Sequence, residues 1–485
     1  MKPIINAQQK LGIILACLLT WSLVASAQSW TPLNHQPCSV GQPCFLPGTA
    51  LLLTDGTVMA IDTFAGAWYR LTPDRYGSYV NGTWSQVASL PVGYAPLYFA
   101  SAVLPDGRLI VEGGEYNFAI APLQSTSLGA IYDPVSDTWT PVAPPPEFCC
   151  IADAQSVVLA DGQFMLANSY TSQQALLNAA TLTWTPTGAG KADPNNEEGW
   201  TLLPNKQVLT VDTRNGTNSE VYVPASGVWQ SAGSTVVPLA AGAEVGPAVL
   251  RPDKTVFATG ATGHSAIYDT GARTWRVGPD FPLSQQGQQL NIDDGPAALL
   301  PSGNVLCDAS PNGGAPSYFF EFDGTNLNSV PGPPHAPIDG SFQSRMLVLP
   351  TGQILFGDGS TDVEIYTASG TYNPHWAPRI RSAPRAVSPG GSYTISGYYF
   401  NGFSQGASYG DNAQSATNYP LVRITNLATG HVFYSRTHDH SSMAVAFGGV
   451  VSTRFDVSAT QELGASTLVV VANGIPSASM IIDVE

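Results

Sequence analysis

Six carboxylates recur at matching places in the chain. Asp153, Glu197, Glu198, Glu244, Asp293 and Asp294 each lie eight to ten residues ahead of a tight-turn residue, namely Gly162, Lys206, Lys254 or Gly303. Asp339 falls slightly earlier than this register, and Tyr98, Phe342 and Gln343 occupy it in other segments. If the fold gathers these residues, two kinds of chemistry open. Clustered carboxylate oxygens hold hard divalent cations such as Ca²⁺, Mg²⁺ or Mn²⁺, and a suitably spaced carboxyl pair acts as acid and base in glycoside hydrolysis. A hydrated acidic wall with no ligand is the third reading. The carboxylates must be offset somehow, because two of them 4 Å apart at an effective dielectric near 20 repel by about 4 kcal/mol. His438-Asp439-His440 adds nitrogen donors: on an extended strand residues two apart share a face, so both imidazoles can point one way. Together with Asp153, Glu197 and Asp294, His438 would complete a mixed nitrogen and oxygen site for Mn²⁺ or Zn²⁺.

The elements that must position these residues are repeated hairpins. "TALLLTDGTVMAI", "ASAVLPDGRLIVEGG", "AQSVVLADGQFMLAN", "EGWTLLPNKQVLTVD", "GPAVLRPDKTVFATG", "GPAALLPSGNVLCDA" and "SRMLVLPTGQILFGD" align on their turns, at intervals of 51, 55, 44, 48, 49 and 49 residues. Each is an apolar strand, a tight turn and a second apolar strand. A second hairpin follows, marked in most copies by an outer-strand tryptophan: Trp84, Trp139, Trp184, Trp229 and Trp275. These are expected to pack blade against blade. Four strands repeated seven times predict a β-propeller. "SWTPL", just before the repeats, mimics the outer strands "TWTPV" and "TWTPT" and is expected to close the ring on the last blade. In such a ring the first strand of every blade lines the axis, so the carboxylates ahead of it would converge on one mouth. From about Pro378 the period is lost, and alternating runs such as "GSYTISGYYF" and "STLVVVANG" predict a two-sheet sandwich.

Composition fits this all-β reading: 48 Gly, 39 Pro and only 11% charged residues. Residues 1–27 read as an export signal, with Lys2 and Lys10, an apolar run from Leu11 to Val24, and Ala25-Ser26-Ala27 as the cleavage site. Loss of its two lysines leaves 17 basic against 35 acidic residues, a net charge of −18 in place of −16. Such a surface repels phosphate backbones, so nucleic acid is not an expected partner. No later apolar run is long enough to span a membrane, which predicts a secreted, periplasmic or cell-surface protein. In an oxidising compartment Cys38 and Cys44 can close a small loop, and Cys149-Cys150 form either a strained vicinal bridge or two thiols. The chain carries no P-loop or H-E-x-x-H motif.

On its propeller repeats and on "RTHDHSSMAV" and "NGIPSASMIIDVE" near the end, the sequence resembles the galactose oxidase-like proteins. The resemblance implies a signal peptide (1–27), a seven-bladed kelch-type β-propeller (28–377) and an immunoglobulin-like β-sandwich (378–485). Family enzymes oxidise primary alcohols or aldehydes at a copper held by a cysteine-linked tyrosine, a Tyr-His pair and a histidine sent into the axis by the last domain. His438 matches that histidine. The Tyr-His pair falls on Phe342-Gln343, the linked tyrosine on Glu197 and its cysteine partner on Asp153. Copper is therefore not expected, and a divalent cation of the Ca, Mg, Mn or Zn group is the cofactor that remains open.

The function expected from the sequence is binding of a glycan or small polyol at the axial mouth. Tyr98, Glu198, Glu244, Asp293, Phe342, Gln343 and His440 are the candidate ligand contacts, and Asp153, Glu197, Asp294 and His438 the candidate metal ligands. The alternative is a metal-dependent hydrolase or oxidoreductase that uses the carboxylate collar and His438. A purely structural surface protein is the third possibility.

Overall fold

The computed structural model describes residues 28–148, 151–410 and 415–485, so the expected export signal and Cys149-Cys150 lie outside the described residues. Seven antiparallel sheets form the ring. Their inner strands are Pro47–Leu52, Ala100–Val103, Ser156–Val158, Thr201–Leu202, Ala248–Leu250, Pro296–Leu299 and Arg345–Val348. The turn that leaves each inner strand needs a left-handed residue. Gly56, Gly107, Gly162, Lys206, Lys254, Gly303 and Gly352 supply it, with φ between 69° and 93°. Ring closure follows the expected route: Ser29–Pro32 pairs antiparallel with Val363–Thr367, Trp30 opposite Tyr366.

Four of the five recurring tryptophans join neighbouring blades by a bond as well as by packing. Trp139 Nε1 donates to Ala88 O (2.8 Å), Trp184 Nε1 to Ala143 O (2.7 Å), Trp229 Nε1 to Gln174 Oε1 (3.2 Å) and Trp275 Nε1 to Ser219 Oγ (2.8 Å). In each case the acceptor belongs to the preceding blade. Trp30 repeats the device at the seam, donating to Pro331 O (2.6 Å). An amphipathic indole suits this place, with a buried ring and one donor that must find an acceptor.

The tail departs from the expected two-sheet sandwich and forms one curled nine-stranded sheet. Val432–His438 stitches its halves together: Val432 to Ser435 pair with Leu421–Asn426, while Arg436 to His438 pair with Val450–Asp456. Val387, Ile395, Val422, Ile424, Val451, Phe455, Leu468 and Ile482 fill the inside of the curl. The tail covers the turn end of the ring, where Thr437 N donates to Thr54 O, His440 N to Pro105 O and Met443 N to Ala160 O. Cys38 and Cys44 are bridged, and Cys307 is a buried thiol. No helix among the described residues is long and apolar enough to cross a membrane.

Candidate functional site at the axial mouth

A segment of the tail threads the axis. Ala407–Tyr409 adds a fifth strand to the inner edge of Pro296–Leu299, with Tyr409 opposite Pro296, and Gly410 N donates to Gly295 O (3.2 Å). The run is built of small residues because the channel is narrow. A Cβ on Gly199 would lie only 2.6 Å from Gly410 O. The segment delivers Tyr409 to the end where the inner strands begin. There its hydroxyl donates to Phe342 O (2.8 Å), and its ring centroid lies 3.7 Å from the Arg345 guanidinium carbon.

Between the first, second and last blades, this end opens into a cavity of about 420 Å³. Phe64, Tyr98, Tyr116, Phe118 and Phe342 give it aromatic walls, with Gln343 and Arg345 as polar members. Arg345 is buried (8% exposed); its Nη1 donates to Phe342 O and Ser344 O, while Nε meets no acceptor among the described residues. Tyr98 has a left-handed backbone (φ 52°) and its ring lies 6.3 Å from that of Tyr116. Burial raises the Tyr98 phenol; Arg345 pulls it down, and Asp294 and Asp153 push it up again. A hydrogen bond to Glu115, then burial, takes Tyr116 up to about 12. Both phenols are therefore protonated at neutral pH.

The collar assembles in part. Glu244, Asp293 and Asp294 each offer an oxygen within 4.8 Å of the others, and burial raises Asp293. Asp294 borders the threading strand at Gly410. Asp153 lies beside Tyr98 and Tyr116, whose phenols feel its charge, and Glu197 accepts a hydrogen bond from Asn196 Nδ2 (2.5 Å). Neither joins the three-carboxylate group. Phe342 and Gln343 line the cavity with Tyr98.

Four expectations need correction. Glu198 points away from the axis into the fourth blade, where Lys191 Nζ lies 2.8 Å from it, 2.7 Å from Glu220 and 3.6 Å from Asp212. Glu197 sits in a turn with a left-handed backbone (φ 58°), so the two neighbouring carboxylates do not share a direction. His438 is held by Asp439 (3.0 Å) and Asp456 (3.2 Å) at the tail. His440 stacks on Tyr419 and bonds Thr453, fully enclosed, with burial foremost among the causes that bring it down to about 3. His440 N binds Pro105 O, seven residues along the chain from Tyr98, and at ~3.3 Å per residue that is roughly 20 Å from the mouth. The two imidazoles do not share a face either, because the strand ends at His438 and Asp439 turns left-handed (φ 54°). Asp339 belongs to a separate group with Asp358 and His335. Sequence reasoning missed Arg345 and Tyr409; the small-residue run "GASYG" was the available signal for a threaded channel.

Fold and site together define a class: a seven-bladed propeller whose axis is threaded by its own β tail and whose open end has aromatic and acidic walls. No protein-family model matches the chain. It is similar to the kelch-like protein terF of Aspergillus terreus, at 24% identity over 303 residues, which cover 57% of this chain and 62% of that relative. The chain thus spans less than two thirds of the relative's length. Among solved structures, a fungal alcohol oxidase of the AA5 family in complex with copper aligns over 95% of this chain and 100% of its own, with a TM-score of 0.50 and 13% identity. At that identity the likeness is one of fold, and in fold the chain is kelch-like and galactose oxidase-like.

Proposed function

We propose that the chain is an exported protein that binds a small polyol or glycan at the axial mouth, without the copper-radical chemistry of its structural neighbour. The observation that carries this reading is the aromatic cavity closed on one side by a buried arginine with a free Nε–H. Aromatic faces cover the apolar faces of a sugar ring, and a few convergent donors fix its hydroxyls. The donor set argues against copper. Among the described residues no histidine lines the cavity or joins its carboxylates, and Phe342-Gln343 replace the Tyr-His pair. Copper of this kind is bound through imidazole and phenolate. Calorimetric titration with D-galactose, glycerol and D-galacturonate should give saturable binding that Phe342→Ala weakens. Absence of binding to all three, or peroxide formation from primary alcohols after copper loading, would overturn the proposal.

A second reading is favoured by the proximity of Glu244, Asp293 and Asp294: a hydrolytic or metal-assisted site on the collar, without His438. Hydrolysis of chromogenic glycosides that is lost in Asp294→Asn would support it. Equal rates in the variant would dismiss it.

A further inference from the structure

The fourth and seventh blades carry matched buried carboxylates. In the fourth, Glu220 faces Thr210 across the sheet and Asp212 stands two residues beyond Thr210. In the seventh, Glu364 faces Phe356 and Asp358 stands two residues beyond Phe356. Both pairs lie on one face of their sheet, since residues two apart on a strand point the same way. Their surroundings differ in one respect. In the fourth blade an ammonium, Lys191 Nζ, sits among the carboxylates within 2.7–3.6 Å. In the seventh no lysine or arginine pairs with the group among the described residues, and two further acids, Asp339 and Asp362, join it. His335 arrives from the same inter-blade stretch as Lys191, 17 residues ahead of Gly352 where Lys191 is 15 ahead of Lys206.

Glu364 is fully buried (0% exposed), and no N–H or hydroxyl donor among the described residues reaches either of its oxygens. Its carboxyl feels the charges of Asp362, Asp358 and Asp339. Asp358 is also buried; its Oδ1 is occupied by Ser360 N, while Oδ2 has no donor. His335 Nδ1 lies 3.0 Å from Asp362 Oδ2 and 3.8 Å from Asp358 Oδ2. One ligand atom from each of these three residues falls within 4.8 Å of the others. Bond lengths of ~2.0–2.2 Å about a common centre place neighbouring donors roughly 3–4.5 Å apart, so this spread fits a single ion. Gln36 fixes Asp362 from the ring-closing segment, donating to its Oδ1 (3.0 Å). The His335 side chain is about half exposed, which leaves one side open to solvent.

We propose that His335, Asp358 and Asp362, with Glu364 and Asp339 beside them, form a binding site for a first-row divalent cation, which takes in the seventh blade the place that Lys191 Nζ takes in the fourth. One imidazole among carboxylates selects Mn²⁺ or Zn²⁺ over the all-oxygen preference of Ca²⁺ and Mg²⁺. This site is separate from the collar and stands whether or not the mouth binds a polyol.

The test is equilibrium dialysis of chelator-stripped full chain against Mn²⁺, Zn²⁺ and Ca²⁺, with elemental analysis. About one equivalent of Mn²⁺ or Zn²⁺ is expected, with affinity reduced about tenfold or more in His335→Ala and in Glu364→Gln, and unchanged in Asp294→Asn. His335→Ala alters an exposed side chain, so it reports on binding even if Glu364→Gln fails to fold. Lack of uptake, uptake of Ca²⁺ alone, uptake insensitive to His335→Ala, or uptake lost in Asp294→Asn would each overturn the proposal.

Discussion

Replacing Lys191 with methionine removes the only cation that pairs with a buried group of acids among the described residues, and keeps most of the volume. Burial disfavours the ammonium, but Glu198, Asp212 and Glu220 outweigh it and hold Lys191 well above the usual lysine value. The contacts at 2.8, 2.7 and 3.6 Å are each a gross attraction of roughly 5 kcal/mol at an effective dielectric near 20. Desolvation cancels much of that, at several kcal/mol per ion. Breaking such a group by deleting one partner leaves uncompensated buried charge and costs about 3–5 kcal/mol. The pH dependence carries a sign. Glu198 already stands at about 8, chiefly through burial, and loss of the ammonium raises the remaining acids further. An acid raised in the folded state binds more protons there than in the unfolded chain, so the penalty is absent near pH 4 and grows as pH rises through the folded value. Denaturant unfolding of wild type and Lys191→Met should therefore differ by about 3–5 kcal/mol at pH 8, and by much less at pH 5. A deficit below about 1 kcal/mol, or one that widens on acidification, would refute the reasoning.

Arg345→Met should weaken polyol binding about 10- to 100-fold, the worth of a hydrogen bond to a charged group, measured by the same calorimetry. His440 is lowered in the folded state, so the unfolded chain takes up its proton first and stability falls as pH drops from about 6.5 towards 3, at up to about 1.4 kcal/mol per unit. His440→Gln should flatten that limb of the stability profile. Trp139→Phe keeps the ring but loses the bond to Ala88 O, which should cost about 1 kcal/mol in denaturant unfolding.

The ring was legible because its rules are local. A left-handed turn every 44 to 55 residues and an outer-strand tryptophan are written in each copy, and "SWTPL" betrays the closing strand by imitation. Of the collar, Glu244, Asp293 and Asp294 are the members that converge among the described residues. Glu198 shows the limit: a left-handed turn at Glu197 parts the two side chains, and the sequence does not mark which glutamate of the pair faces inward. His438 failed because a single left-handed residue, Asp439, ends the alternation on which its pairing with His440 rested. Arg345 reads as a surface cation in a strand, since its aromatic partners Tyr98 and Tyr409 are 247 residues before it and 64 after it. The cation group of the seventh blade was invisible for the same reason, as Asp362 and Glu364 gain meaning only beside His335 and Asp358.

The seam of the ring sets a timetable for folding. Ser29–Pro32 is made first and pairs last, because its partner Val363–Thr367 lies more than 330 residues downstream. Closing so long a loop is slow even when the final pairing is strong. Until then an open circle presents two raw strand edges, one at each end, to any neighbouring chain. A circular permutant that begins at the first blade and carries Ser29–Pro32 directly after the last would make the latch a local hairpin, and so shorten the interval in which the unfinished molecule is most vulnerable to aggregation.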